Sequence, residues 1–199
     1  MTSIEKLSQQ LNKGKAVVLP TETVYGLFAK ALEKPSVDLV YDLKNRPSDK
    51  AMNLNVTSYE DILNFSKNQP VYLEKLVNHF LPGPLTIILQ ANEKVPTWIN
   101  SGLDSVGFRL PYHPVTQKLI ATHGPLIGPS ANKSGEESGK SFKTIMQSFD
   151  NQVLGYEDDS FLTGMDSTIL DLSSDRADIL RQGAISKEDL LAKVPELNF

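Results

Sequence analysis

The run Ala16-Val17-Val18-Leu19 ends at a proline, and the segment beyond that proline constrains this chain more than any other feature. Four consecutive apolar residues read as a short buried strand. Pro20 has no N–H to donate to a ladder, so the strand stops there. Beyond it, Pro20-Thr21-Glu22-Thr23-Val24-Tyr25-Gly26-Leu27 presents two hydroxyls, a carboxylate and a phenol with no apolar periodicity. Polar groups at the end of a buried strand are where α/β proteins usually place ligand chemistry. The same residues also suit a strand-to-helix turn with Thr21 or Thr23 as helix N-cap. Locally, both readings stay open.

Strand and helix signals interleave along the rest of the chain. Thr2-Ser3-Ile4-Glu5 has capping-box form and opens a helix expected to end at Gly14. Val37, Val40, Tyr41 and Leu43 share a face of a helix over 36–44. Residues 52–56 alternate like a half-buried strand. Ser58 caps a short helix, and another over 70–81 is stopped by Pro82-Gly83-Pro84. Strands are expected at 85–89, 106–110, 126–127, 168–172 and 179–180, with helices over 113–123 and after Ser186. Interleaving of this kind predicts an α/β (α+β) fold, with helices covering a sheet. Short connections between several consecutive strands make that sheet mixed. The 199 residues suit one domain, 1–199.

Composition narrows the chemistry. The chain has no cysteine, which removes disulfides, thiolate nucleophiles and cysteine metal sites together. No apolar run approaches the roughly 20 residues that span a bilayer. The first residues lack the apolar centre of a signal peptide, so a cytoplasmic location without a membrane partner is expected. A net charge of −4 disfavours holding nucleic acid by phosphate neutralisation alone.

Gly135-Glu136-Glu137-Ser138-Gly139-Lys140-Ser141 looks like a phosphate-binding loop but is one residue short between its glycines, and no apolar strand leads into it. The Gly/Ser/Glu-rich loop over 133–140 is expected to be mobile. A dinucleotide fingerprint is absent, and His79, His113 and His123 lack the i, i+4 pairing of a helical metal site. No serine sits in a nucleophile elbow.

What remains is a set of polar strand ends. Three of the four arginines, Arg46, Arg109 and Arg181, lie in strand-end or loop segments, where a guanidinium fork suits carboxylate and phosphate oxygens. Lys44 and Arg46 are two apart and would point the same way in non-helical backbone; as charges near a helix C-terminus they also suit its dipole. Gly128-Pro129-Ser130-Ala131-Asn132 adds a hydroxyl, an amide and exposed N–H groups, and Asp166-Ser167-Thr168 adds two more hydroxyls. Together they would form a concave site for a polyphosphate and a compact zwitterion.

In this order the motifs resemble the YrdC/TsaC family of threonylcarbamoyl-adenylate synthases. The match runs from the Pro20–Leu27 segment through Lys44-x-Arg46-Pro47, Leu81-Pro82-Gly83-Pro84-Leu85-Thr86 and Val106-Gly107-Phe108-Arg109-Leu110-Pro111. It continues through Pro129-Ser130-Ala131-Asn132-x-Ser134-Gly135, Asp166-Ser167-Thr168-Ile169 and Ile179-Leu180-Arg181-x-Gly183. The resemblance implies an open, twisted mixed sheet with helices around a large positively charged concave site. It implies that L-threonine, bicarbonate and ATP are joined into threonylcarbamoyl-AMP with release of pyrophosphate, making the protein a nucleotidyltransferase of tRNA modification. A separate tRNA threonylcarbamoyltransferase complex would take the product. Mg2+ would come with ATP, held by its phosphates, and no organic cofactor is implied.

By the same resemblance, Thr23, Arg109, Gly128 and Ser167 match the threonine pocket. Arg46, Ser105, Ser130, Ser138 and Arg181 match nucleotide contacts. Lys44, Arg46, Ser130 and Asn132 match the catalytic Lys-x-Arg and Ser-x-Asn tetrad. The chain departs from the family pattern at Phe28, where a glycine is usual. Lys50 and Asn55, on the nucleotide and threonine sides, also depart: many members carry a histidine where Asn55 stands, and an amide cannot become cationic. By the resemblance, an ending at Phe199 would be expected of the family's short form. The alternative reading is a non-catalytic YrdC-like module that binds RNA weakly or associates with ribosomes.

Overall fold

The computed structural model describes residues 3–136, 141–150 and 152–199. The Thr2 cap, the second half of the 133–140 loop and the Ser138 nucleotide contact lie outside the described residues. Nine strands are present among them: β1 (Val17–Leu19), β2 (Gly26–Lys30), β3 (Leu54–Asn55), β4 (Leu85–Gln90), β5 (Ser105–Arg109), β6 (Leu126–Ile127), β7 (Leu154–Gly155), β8 (Thr168–Asp171) and β9 (Asp178–Arg181). They form one sheet in the order β7-β1-β2-β6-β3-β5-β4-β8-β9. The sheet is mixed, as expected: β3–β5, β4–β8 and β1–β7 are parallel, and the other pairs antiparallel.

Helices cover the two faces unequally. The helices are α1 (Ser3–Asn12), α2 (Lys34–Lys44), α3 (Tyr59–Phe65), α4 (Leu73–Phe80), α5 (Thr97–Asn100), α6 (Pro114–His123), α7 (Phe142–Ser148) and α8 (Lys187–Lys193). On one face Leu27, Leu54, Ile87, Phe108 and Leu170 pack with Val40 of α2, Ile62 of α3, Leu76 of α4 and Leu190 of α8. On the other, α1 and α6 bury only the first strands, through Leu7, Leu11, Leu119 and Ile120 against Val17, Leu19, Phe28 and Leu126. Past that cover, Ser105, Arg109, Ile88, Gln90, Ile169 and Asp171 are half-exposed, alternating with buried neighbours. The open part of this face is where ligand chemistry has room.

The clearest departure from the sequence expectation lies at the first motif. No helix follows Pro20. The chain turns and returns as β2, antiparallel to β1, with Leu19 opposite Gly26, so neither Thr21 nor Thr23 is an N-cap. Leu27, Phe28 and Ala29 are buried on both faces, and a short continuous apolar run encodes buried strand and buried helix equally well. Pairing with β1 and β6 decides between them.

A second departure concerns Lys44. Helix α2 begins at Lys34, with Pro35 in its first turn, and Lys44 is its last residue. Asn45 then takes the left-handed conformation (φ 48). Lys44 therefore sits in helical rather than non-helical backbone. Ser58 and Ser186 cap their helices with full capping boxes, as their sequences require.

Candidate active site

The polar turn after β1 folds around the end of β5. Thr21 Oγ1 donates to the Val24 carbonyl (2.6 Å) and accepts from the Thr23 N–H (3.2 Å), which shapes the turn. Arg109, the last residue of β5, donates from Nη2 to Glu22 Oε1 (2.7 Å) and Thr23 Oγ1 (2.5 Å), with Thr21 Oγ1 at 3.4 Å. The other Glu22 oxygen accepts the Tyr112 N–H (2.7 Å). Thr23 and Arg109 are thus in direct contact. Glu22, for which no local signal predicts a role, anchors the guanidinium. Arg109 Nε is buried without a partner among the described residues, an unspent donor in the middle of the site.

A short strap links this cluster to β8. The N–H groups of Thr163 and Gly164 donate to the carbonyls of Glu22 and Thr23 (3.2 and 3.0 Å). Ser167 follows, 2% exposed. Its hydroxyl lies 3.1 Å from Thr86 Oγ1 and accepts from Arg181 Nη2 (3.1 Å). Arg181 also donates to the Ser167 carbonyl from Nε and Nη2 (3.1 and 2.9 Å), and its Nη1 is 3.5 Å from Asp166. The expected threonine contact Ser167 and the expected nucleotide contact Arg181 therefore share one wall. Thr86, the last residue of the Leu81–Thr86 motif, is part of it, a role its sequence alone does not signal.

The Lys-x-Arg and Ser-x-Asn residues form a second cluster. Lys44, 2% exposed, donates from Nζ to the carbonyls of Ser130 and Asn132. The Lys44 carbonyl accepts the Ser134 N–H (2.7 Å), so helix and loop are tied twice. Burial, and to a lesser extent nearby Arg46, bring the Lys44 ammonium down to about 8. Burial also lowers Arg46, whose Nη2 and Nε donate to the carbonyls of Ala51 (2.9 Å) and Lys50 (3.3 Å). Asn132 Oδ1 is buried and has no partner among the described residues. Gly26 bridges Ser130, which carries the loop onward from β2 and β6.

The remaining expected residues fall between or beyond these clusters. Asn55 pairs in register with Arg109 but is 2% exposed and donates to the Leu126 carbonyl (3.2 Å). A Cβ at Gly128 would come 2.7 Å from Phe28 Cδ1 and 2.9 Å from Asn55 Nδ2. The ring of Phe28 therefore fills the space beside Gly128, which only a glycine leaves free. Ser105 stands at the opposite end of β5 from Arg109, on a cavity of about 490 Å3 lined also by Lys67, Gln90, Asp104 and Ser173. The Lys50 side chain is exposed.

Comparison with known proteins agrees with this arrangement. A family model named for Sua5, YciO and YrdC, described as telomere recombination, matches residues 9–183. The threonylcarbamoyl-AMP synthase of Pyrococcus abyssi (strain GE5 / Orsay) is 35% identical over 191 residues, 95% of this chain and 56% of that protein. The enzyme of that name from Bacillus subtilis (strain 168) is 32% identical over 194 residues, 96% of this chain and 56% of that protein. The crystal structure of P. abyssi Sua5 complexed with L-threonine superposes with a TM-score of 0.91 at 34% identity, over 98% of this chain and 58% of that one. The chain thus spans little more than half the length of these relatives. With the fold, the ordered motifs and these matches in agreement, the chain belongs to the Sua5/YciO/YrdC family.

Proposed function

We propose that the protein is an L-threonylcarbamoyladenylate synthase, a nucleotidyltransferase that joins L-threonine, bicarbonate and ATP. The observation that carries this reading is the meeting of Thr23 with Arg109, and of Ser167 with Arg181, on one open sheet face. The relatives' names, and the threonine complex of P. abyssi Sua5, support it.

Threonine would lie against Thr23, Gly128 and Ser167, with its carboxylate toward Arg109, whose orientation Glu22 fixes. The amine of threonine and bicarbonate condense to a carbamate with loss of water. A carbamate oxygen attacks the α-phosphorus of ATP, the bond to the β-phosphate oxygen breaks, and pyrophosphate leaves. Arg46 and Arg181 would offset charge on the phosphates, with Ser105, Ser130, Ser138 and Lys50 along the nucleotide. Lys44 acts chiefly by holding the Ser130–Asn132 loop, since its ammonium faces two carbonyls. Among the described residues no three His, Asp or Glu side chains converge on a metal position. Mg2+ would enter with the triphosphate and neutralise its negative charge. Holding the reactants in line is worth up to about 7–11 kcal/mol.

The product would pass in the cytoplasm to a tRNA threonylcarbamoyltransferase complex. The net charge of −4 argues against the alternative of an RNA-binding module without chemistry.

Purified protein given ATP, Mg2+, bicarbonate and threonine is expected to release pyrophosphate in a threonine-dependent way. Absence of that release at saturating substrates, with tight salt-sensitive RNA binding instead, would overturn the reading. Arg46→Ala is expected to lower kcat/KM about 100-fold or more while the far-UV CD spectrum and fold persist.

A further inference from the structure

The sheet register places one more polar side chain over the floor of this site. Strands β3 and β5 run parallel, with Leu54 opposite Phe108 and Asn55 opposite Arg109. Leu54 and Phe108 face the core. Alternation along the strands therefore sets Asn53 on the same face as Gly107 and Arg109. A Cβ at Gly107 would collide with Asn53 Oδ1 and come 3.3 Å from Thr86 Cγ2. The amide can lie over β5 only because position 107 has no side chain.

Asn53 differs from its neighbours in that its side chain makes no hydrogen bond at all among the described residues. Arg109, Asn55, Thr86, Ser167 and Arg181 are all engaged with protein groups. Asn53 is also exposed. Asparagine is depleted in strands, so packing gives no reason for it beside β3. Gly107 lies midway between Ser105 and Arg109, which at about 3.3 Å per residue are some 13 Å apart along β5. With the nucleotide at Ser105 and threonine at Arg109, the reacting junction lies above Gly107.

We propose that Asn53 is a further substrate-contacting residue, donating a side-chain N–H to the oxygens at the junction of the threonine carbamate and the α-phosphate. This rests on the synthase reading. The amide carries two donors and an acceptor on one end, and rotation of the side chain brings either over the floor. Being neutral at every pH, it stabilises developing charge on those oxygens without repelling the carboxylate of threonine.

The test compares wild type with Asn53→Leu, Asn53→Asp and Asn53→Gln, measuring threonine-dependent pyrophosphate release and Tm. The expected result is a kcat lowered about 10- to 100-fold for Asn53→Leu, the loss typical of a hydrogen bond to a charged group. KM for threonine should move less than about threefold, and Tm should hold because the residue is exposed. Asn53→Asp should lose as much or more, because its carboxylate faces phosphate oxygens, and Asn53→Gln, which keeps the donor, should recover part of the rate. A kcat within about twofold of wild type in Asn53→Leu overturns the proposal. So does a loss that appears only as a raised KM for threonine, or one that tracks a fall in Tm. An active wild type with an indifferent Asn53→Leu overturns this inference alone, whereas an inactive wild type overturns the synthase reading and takes this one with it.

Discussion

At the residue scale, the site rests on charges held by partners far along the chain. Glu22 and Arg109 are both largely buried, at 11% and 14% side-chain exposure. Glu22→Gln keeps the shape but leaves a buried guanidinium without its counter-charge, which costs about 3 kcal/mol. For a chain of this size that lowers Tm by about 6–12 °C, measurable by calorimetry; an unchanged Tm would show that the ion pair carries no stability. Lys44 gives a pH prediction. Its native value is about 8, against 10.5 ordinarily, because burial penalises the charged form. Below pH 8 both native and unfolded chains hold the proton. Between pH 8 and 10.5 the unfolded chain holds it and the native one has shed it, so stability from this group rises with pH across that window. The Tm of wild type should therefore gain on that of Lys44→Met as pH rises through that window, and a constant difference would contradict the assignment. Arg109 is legible in sequence as an arginine at a strand end in a chain that mostly uses lysine. Glu22 is not, because its partner is 87 residues away.

At the element scale, the joint between β8 and β9 ties the two halves of the site. Thr168 Oγ1 accepts the N–H groups of Gly183 and Ile185 and donates to the Ile185 carbonyl (3.0, 3.0 and 2.6 Å). A Cβ at Gly183 would collide with the backbone of Asp166 and Ser167 and come 2.5 Å from the nitrogen of Thr168. Backbone cannot swing aside as a side chain can. Gly183→Ala is therefore expected to cost about 1–3 kcal/mol and to weaken binding of a non-hydrolysable ATP analogue in calorimetric titration, because Arg181 is docked on Ser167. Undiminished affinity would show that the joint does not position Arg181. Elements with internal signals are readable, as at the Ser58 and Ser186 capping boxes. Strand β2 is not, because its apolar run has no period and only neighbouring strands declare it.

At the scale of the whole molecule, the two apolar clusters lie on opposite faces of one sheet and share strands. Val18 belongs to one and Val17 and Leu19 to the other; Leu27 and Phe28 divide likewise, as do Ile127 and Leu126. Losing either cluster strips the backing from the other, so thermal unfolding should be a single transition with equal calorimetric and van't Hoff enthalpies. Two resolved transitions would contradict this. The mixed α/β class, most helix boundaries, the family and the residue types of the site are all written along the chain, because caps, breakers and ordered motifs are local or linear signals. Tertiary contacts alone settle that the chain after Pro20 returns as a strand, that Glu22 clamps Arg109, and that Lys44 spends its charge on backbone carbonyls. They also settle that Asn53 lies over Gly107. Each of these depends on which strands become neighbours. That choice comes from burying two faces of one sheet at once, and no local stretch of sequence encodes it.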